Sequence, residues 1–273
     1  MSLSDLQREI DGIHWYHEFD FGGGLVARSS TPDVEAHRRI WRMIAAQFDE
    51  LDWRGRSVLD IGCWDGYWSF EAERRGAASV LASDDVSQNW SAGAGLRLAK
   101  RLLQSRVEVN QNVSVYELAK LNRRFDIILC LGVYYHLLDP FYALAQIRHC
   151  CHADTVVVLE GDVARYGVRA DAACLPFGDA TAPLFVPTPR TLDRLLRATY
   201  FEVASQRFLN SAPRAWAKSC WRRLAGDSKL PAVDRAVTVC RPFTGANPLH
   251  DYAPPFGLQQ YDDRFNSSRQ AAA

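Results

Sequence analysis

Val58-Leu59-Asp60-Ile61-Gly62-Cys63-Trp64-Asp65-Gly66 is the stretch whose reading decides the fold. A short apolar strand carries an acid near its end and runs into a loop with glycines at 62 and 66. An amphipathic segment, 67–75, follows and is closed by Gly76. Glycine lacks Cβ, so such a loop can turn sharply and admit a ligand close to the backbone at the carboxyl end of a strand. Open α/β sheets bind nucleotide-like ligands there.

Working outward, the hydrophobic periods alternate between strand and helix. A helix is expected over 33–51, with Asp33 as N-cap after Pro32. Strands are expected at 57–61, 79–82, 106–110, 126–131 and 155–159. The intervening helices fall at 68–75, 95–104, 115–121 and 140–150. This rhythm predicts a parallel, doubly wound sheet with helices on both faces. After Glu160 it breaks into a glycine- and proline-marked region, 161–187. A helix from Thr188 through Ala198 and strands at 201–205 and 236–241 complete the pattern. The fold class expected is α/β: seven strands, Rossmann-like, the last strand antiparallel.

Three additions frame that domain, which is taken as 33–243. Residues 1–32 pack aromatics into His14-Trp15-Tyr16-His17 and Phe19-Asp20-Phe21 ahead of Gly22-Gly23-Gly24. They read as a lid on a glycine hinge or as a hairpin packed on the main domain. The basic insertion 207–235 carries Arg214, Lys218, Arg222, Arg223 and Lys229; its stretch 214–229 reads as a solvated amphipathic helix, with binding of an acidic group such as a phosphate as the alternative. The tail 244–273 is rich in proline, glycine, asparagine and glutamine.

The 273 residues, 48% hydrophobic and 11% aromatic, suffice for a substantial core. Lys plus Arg and Asp plus Glu stand at 32 each, so no global field draws the chain to nucleic acid or an anionic membrane. Seven cysteines lack C-x-x-C spacing, and Cys150 and Cys151 are adjacent, which suits neither a disulfide framework nor a metal cluster. No apolar run is long enough to span a bilayer and no signal-peptide core is present. A reducing cytoplasm, no metal and no membrane are the expectations.

The motif at 58–66 excludes two ligands. A nicotinamide or flavin fingerprint needs G-x-G-x-x-G with its acid about 20 residues on, and a phosphate loop needs G-K-[ST]. Here the acid precedes the glycines, which suits a cofactor bearing a cationic amino group and would repel a pyrophosphate.

With these residues in place, the chain resembles the class I S-adenosylmethionine-dependent methyltransferases. VLDIGCWDGYWSF looks like that family's first motif, with Asp60, Gly62 and Gly66 at its positions and Cys63 and Trp64 in the loop against the methionine moiety. Trp64 departs from the family, which commonly has glycine there. The resemblance further implies that Asp84, with Asp85 as alternative, holds the ribose hydroxyls, and that Asn112 and Val113 meet adenine. FDIILCLGVYYHLLDP, 125–140, matches the family's fourth strand and the segment after it, with Leu131 and Tyr135 bordering the cofactor. LGVYYHLLDP, with LEGDV after the next strand, most resembles the subgroup that includes the tRNA wobble-uridine carboxymethyltransferases. Tyr135, His136 and Glu160 carry that likeness. The tRNA enzymes have arginines where Leu137-Leu138 stand, and their lysine-rich element has no counterpart before Trp41.

The expected activity is methyl transfer from S-adenosyl-L-methionine to a small-molecule acceptor, on oxygen rather than nitrogen, with nucleic acid disfavoured and room left for a homodimer. A tRNA-modifying enzyme of the wobble-uridine type and a catalytically silent cofactor-binding relative are the alternatives. His136, then His14 or His17, is the candidate general base, with Glu160 orienting the acceptor. The other readings are ordinary ones: a structural His136, Glu160 in a salt bridge with Arg165 or Arg169, one of Tyr134 and Tyr135 in the core, and the N-terminal aromatics as a hydrophobic anchor.

Overall fold

The computed structural model describes residues 2–166, 172–174, 184–224 and 232–247. The tail beyond 247, Arg169 and Lys229 lie outside them. In chain order the elements are α1 (Leu3–Asp11), β1 (Phe19–Gly22), β2 (Leu25–Ala27), α2 (Val34–Phe48), β3 (Ser57–Ile61), α3 (Tyr67–Arg74), β4 (Ser79–Ser83), α4 (Ala94–Leu102) and β5 (Glu108–Asn110). Then come β6 (Phe125–Leu131), α5 (Pro140–His149), β7 (Cys151–Tyr166), β8 (Ala173–Cys174), β9 (Val186–Pro187), α6 (Pro189–Ala198), β10 (Phe201–Phe208), α7 (Ala212–Leu224) and β11 (Ala232–Pro242).

Seven strands form one sheet in the order β10-β11-β7-β6-β3-β4-β5. β3 is parallel to β4 and β6, and β4 to β5. β11 is antiparallel to β7 and to β10, so the expected antiparallel last strand is present. The seven-stranded, doubly wound expectation holds.

Packing divides the chain into two compact units, Met1–Val115 with Ile127–Leu131, and Tyr116–Asp126 with Gly132–Ala273. In the first, Val58, Leu59 and Ile61 of β3 and Val80, Leu81 and Ala82 of β4 are buried. Strands with apolar side chains buried at consecutive positions belong to a sheet covered on both faces. α2 starts where Asp33 accepts a hydrogen bond from the Ala36 amide, and buries Ile40, Ile44 and Phe48. α1 was not foreseen: Ser2 and Asp5 form a reciprocal capping box, a signal within the polar start of the chain. The glycine triplet forms the turn of an antiparallel hairpin, β1 with β2, and Gly22, Gly23 and Gly24 all have positive φ (80°, 61° and 86°). The packed-hairpin reading of 1–32 therefore describes its structure.

In the second unit, α6 is capped by the Thr188 hydroxyl and buries Leu192, Leu195 and Leu196. The short helix expected at 115–121 is present and is a 3-10 helix. β7 continues well past the expected end at Leu159, through Gly161 to Tyr166, because β11 pairs with it up to Tyr166↔Ala232. Gly161, read as the break, has a packing role: a Cβ there would lie 2.6 Å from both Tyr134 Cε1 and Tyr135 Cδ1.

Candidate active site

The loop after β3 is held by β4. The amides of Gly62 and Cys63 both donate to the Ser83 carbonyl, at 2.8 and 3.1 Å, and the Gly66 amide donates to the Cys63 carbonyl at 2.7 Å. Gly66 has φ +82°, and a Cβ on it would meet Leu96 Cδ1 at 2.3 Å, so both conformation and space require glycine. Trp64 also adopts a left-handed backbone, φ +55°. That conformation explains why glycine is the ordinary residue here; in an L-residue it costs on the order of 1 kcal/mol. The indole compensates by packing edge-on against Trp90 at 5.1 Å, and the Trp64 carbonyl accepts from Asn89 Nδ2.

Three carboxylates are buried in this unit: Asp60, Asp65 and Asp84. Asp60 accepts a 2.6 Å hydrogen bond from Ser69 Oγ, and its acid constant is pushed up to about 7, first by burial and further by Asp84 and Asp65. Burial likewise raises that of Asp84, whose carboxylate accepts from Asn89 Nδ2 at 3.1 Å. Burial and the same carboxylates hold the Cys63 thiol well above its ordinary value, so it is not a nucleophile. Among the described residues no cation pairs with Asp60 or Asp84, and the buried Ser83 hydroxyl lacks a hydrogen-bond partner. That donor set, acids short of a cation beside a spare hydroxyl, fits a ligand that carries positive charge and hydroxyls.

The predicted adenine residues lie alongside. Val113 donates its amide to the Asp84 carbonyl, and Asn112 is exposed and bridged to Asp85. Asp85 caps a 3-10 turn by accepting from the amide and hydroxyl of Ser87. Leu131 is half-buried at the end of β6.

Asp65 ties the N-terminal segment to the loop. Its carboxylate accepts from the Tyr16 and His17 amides and lies 2.6 Å from His17 Nδ1. His17 is buried and stacks on Tyr67 at 4.9 Å. His14 packs on Trp90 at 4.9 Å, and its carbonyl accepts from Ser91 Oγ. Sequence reasoning treated Asp65 as an unremarkable loop residue. Its signal was an acid one position before the last glycine of the motif.

In the second unit the residues around β7 form a charged cluster. Arg235 donates from Nε and Nη2 to the two oxygens of Glu160, both at 2.7 Å. Its Nη1 donates to Tyr135 Oη at 2.9 Å and to Asp162 at 3.1 Å, and the guanidinium lies over the Tyr135 ring at 4.8 Å. Glu160 is 1% exposed. The register explains the partner: Arg235 pairs with Asp162 across β11 and β7, close to Glu160 on the same strand. Arg165 binds Asp234 instead, at 2.9 Å. Tyr134 and Tyr135 are both buried; Tyr134 donates its hydroxyl to the Asp162 carbonyl, and burial holds that phenol well above its ordinary value. Arg235 was missed because only arginines near in sequence, Arg165 and Arg169, were weighed as partners of Glu160, and Arg235 lies 75 residues on.

His136 follows Tyr135 in a 3-10 turn, with ring centroids 4.2 Å apart. Desolvation lowers its acid constant below the usual value, against the pull of Asp162 and with the help of Arg235. The imidazole is therefore neutral near pH 7 and able to accept a proton.

A family profile described as a methyltransferase domain, Methyltransf_23, matches residues 34–206. Among curated proteins, the tRNA U34 carboxymethyltransferase of Campylobacter hominis is 29% identical over 161 residues, 56% of this chain and 52% of that protein. The enzyme of that name from Pseudomonas aeruginosa is 28% identical over 220 residues, 81% and 57% of the two chains. The chain thus spans about half the length of the curated relatives it matches. Among solved structures, the N-terminal domain of EvdMO1 with SAH bound superposes with a TM-score of 0.59 at 18% identity, covering 89% of this chain and 98% of that one. With the profile matching residues 34–206 and the sheet order agreeing with it, the chain belongs to this methyltransferase-domain family.

Proposed function

We propose that this methyltransferase acts on a small-molecule acceptor, methylating a hydroxyl of a natural-product or sugar-like compound in the cytoplasm. The observation carrying this reading is the neutralisation of the cations beside the candidate catalytic residues. Arg235 is bound by Glu160 and Asp162, and Arg165 by Asp234. Holding a phosphate backbone at these residues would need cations there that are available to phosphates. The formal net charge of zero agrees.

In this reading Asp84 holds the cofactor's ribose hydroxyls, the 62–66 loop lies against its methionine portion, Asp60 sets the negative field, and Asp85, Asn112, Val113, Leu131 and Tyr135 border it. The bound cofactor supplies an activated methyl on a sulfonium, so the protein contributes chiefly alignment and exclusion of water. His136 takes the proton from the acceptor hydroxyl. Glu160 acts through Arg235, which fixes the Tyr135 hydroxyl and ring. His17 and Asp65 position the N-terminal segment, and His14 and Trp90 offer an aromatic surface for an acceptor.

A second reading, carboxymethyl or methyl transfer to a tRNA wobble uridine, is favoured by the names of the relatives at 28–29% identity. One experiment separates the two. The protein, cofactor and a panel of small hydroxylated compounds or total tRNA are incubated and the products weighed by mass spectrometry. A gain of one CH2 on a small compound supports the first reading; modification confined to tRNA overturns it.

A further inference from the structure

α7 is an exposed helix whose chemistry the methyltransferase reading does not use. Over Ala212–Leu224 it has four cations, Arg214, Lys218, Arg222 and Arg223, and no acid, in a chain whose totals are 32 of each sign. Its large apolar residues face solvent: Trp216 is 61% exposed, Trp221 70% and Leu224 87%. Soluble surfaces carry single exposed apolar residues freely, but three such side chains within nine residues of one helix form a patch.

Helical geometry sorts the sequence. At about 100° per residue, Trp216, Cys220, Pro213, Leu224, Ala217 and Trp221 fall within one arc of about 140°. By helical register, the basic positions 214, 218 and 222, each four apart, fall next to that arc on the Trp221 side, and position 223 falls next to it on the Trp216 side. An apolar arc edged by tryptophans and flanked by Arg and Lys is the pattern of a helix lying in a lipid interface. Here the helix is 13 residues long and amphipathic, so it is suited to lie on a bilayer; no described helix is long and apolar enough to cross one.

We infer that α7 is a docking surface for an anionic lipid membrane, holding the enzyme at the interface with its apolar arc in the headgroup region. Charge complementarity selects the lipid: a helix segment whose sequence carries four basic residues and no acid attracts an anionic leaflet. The apolar arc argues against RNA as the occupant. Trp216 and Trp221 lie about 140° apart around the helix with Leu224 between them, so the two rings cannot form a single stacking platform for bases. An acceptor that partitions into lipid would be delivered to an enzyme docked this way.

The test is co-sedimentation of the full chain with vesicles. Binding is expected to phosphatidylcholine vesicles containing phosphatidylglycerol, weaker to phosphatidylcholine alone, and falling as salt is raised. Trp216→Ser with Trp221→Ser should lower the partition coefficient more than tenfold. Arg214→Gln and Lys218→Gln should each lower it about fivefold. These positions are remote from the candidate cofactor residues in sequence, so affinity for S-adenosylhomocysteine and the thermal midpoint should not change. Absence of wild-type binding to anionic vesicles overturns the inference, as does binding that survives the double tryptophan replacement. It is equally overturned if those replacements abolish a concentration-dependent dimer, or tRNA binding, in a protein that ignores vesicles.

Discussion

Arg235→Met removes the cation that three groups share while keeping most of the side chain's volume. Glu160, 1% exposed, loses two charge-assisted hydrogen bonds of 2.7 Å, and Asp162 and the Tyr135 hydroxyl lose one each. Leaving one partner of a buried pair uncompensated costs about 3–5 kcal/mol, of which a neutral hydrogen bond such as that to Tyr135 represents about 1 kcal/mol. For a chain of this size each kcal/mol corresponds to roughly 2–4 °C, so Tm should fall by about 6–20 °C. Glu160→Gln combined with Arg235→Met should recover most of that loss, because the buried charge is then gone. Differential scanning calorimetry of the wild type, Arg235→Met and the double variant reads this directly. A loss below about 1 kcal/mol, the value of an exposed ion pair, would refute the claim that this cluster is a buried, structure-setting one.

Asp60 gives a pH signature. Its acid constant rises from 3.8 to about 7 in the folded protein, so between those values the folded state holds a proton that the unfolded state has lost, and stability falls as pH rises through that window. The full effect is on the order of 4 kcal/mol. Asp60→Asn, which still accepts from Ser69, should be more stable than wild type at pH 8 and lose that advantage by pH 4; equal pH profiles in urea denaturation would contradict it. Trp64→Gly should be more stable than Trp64→Ala by about 1 kcal/mol, since alanine keeps the left-handed strain and loses the contact with Trp90; the reverse order in Tm would sink this reading of the loop. His136→Ala should cut turnover by about 10²–10⁴-fold while leaving cofactor affinity nearly intact; unchanged turnover in a steady-state assay would remove it from the role of base.

Local signals made the scaffold legible. β3 was read to the residue because a mostly apolar strand meets a glycine loop, and the start of α2 because Asp33 precedes a clean helical period. Thr188 before Pro189 placed α6 in the same way. The features that escaped are set by contacts distant in sequence. Gly161 looks like a terminator until Tyr134 and Tyr135 are seen to occupy the space a Cβ would need. Glu160 was paired in sequence reasoning with nearby arginines, whereas its partner lies 75 residues on, across an antiparallel register. Asp65 and His17, 48 residues apart, could not be joined from spacing alone. The left-handed backbone at Trp64 was hidden because its side chain suggests no such conformation. The basic helix α7 was legible in the sequence, but the exposure of Trp216, Trp221 and Leu224 on it was not.

The central claim is that the buried acids beside the 62–66 loop hold S-adenosylmethionine. Isothermal titration with S-adenosylhomocysteine, on the wild type and on Asp84→Ala, tests it most directly. The account predicts one site per chain in the wild type and roughly tenfold to hundredfold weaker binding in the variant, the loss of a hydrogen-bonded carboxylate partner. Folded wild-type protein that binds neither S-adenosylhomocysteine nor S-adenosylmethionine would contradict it.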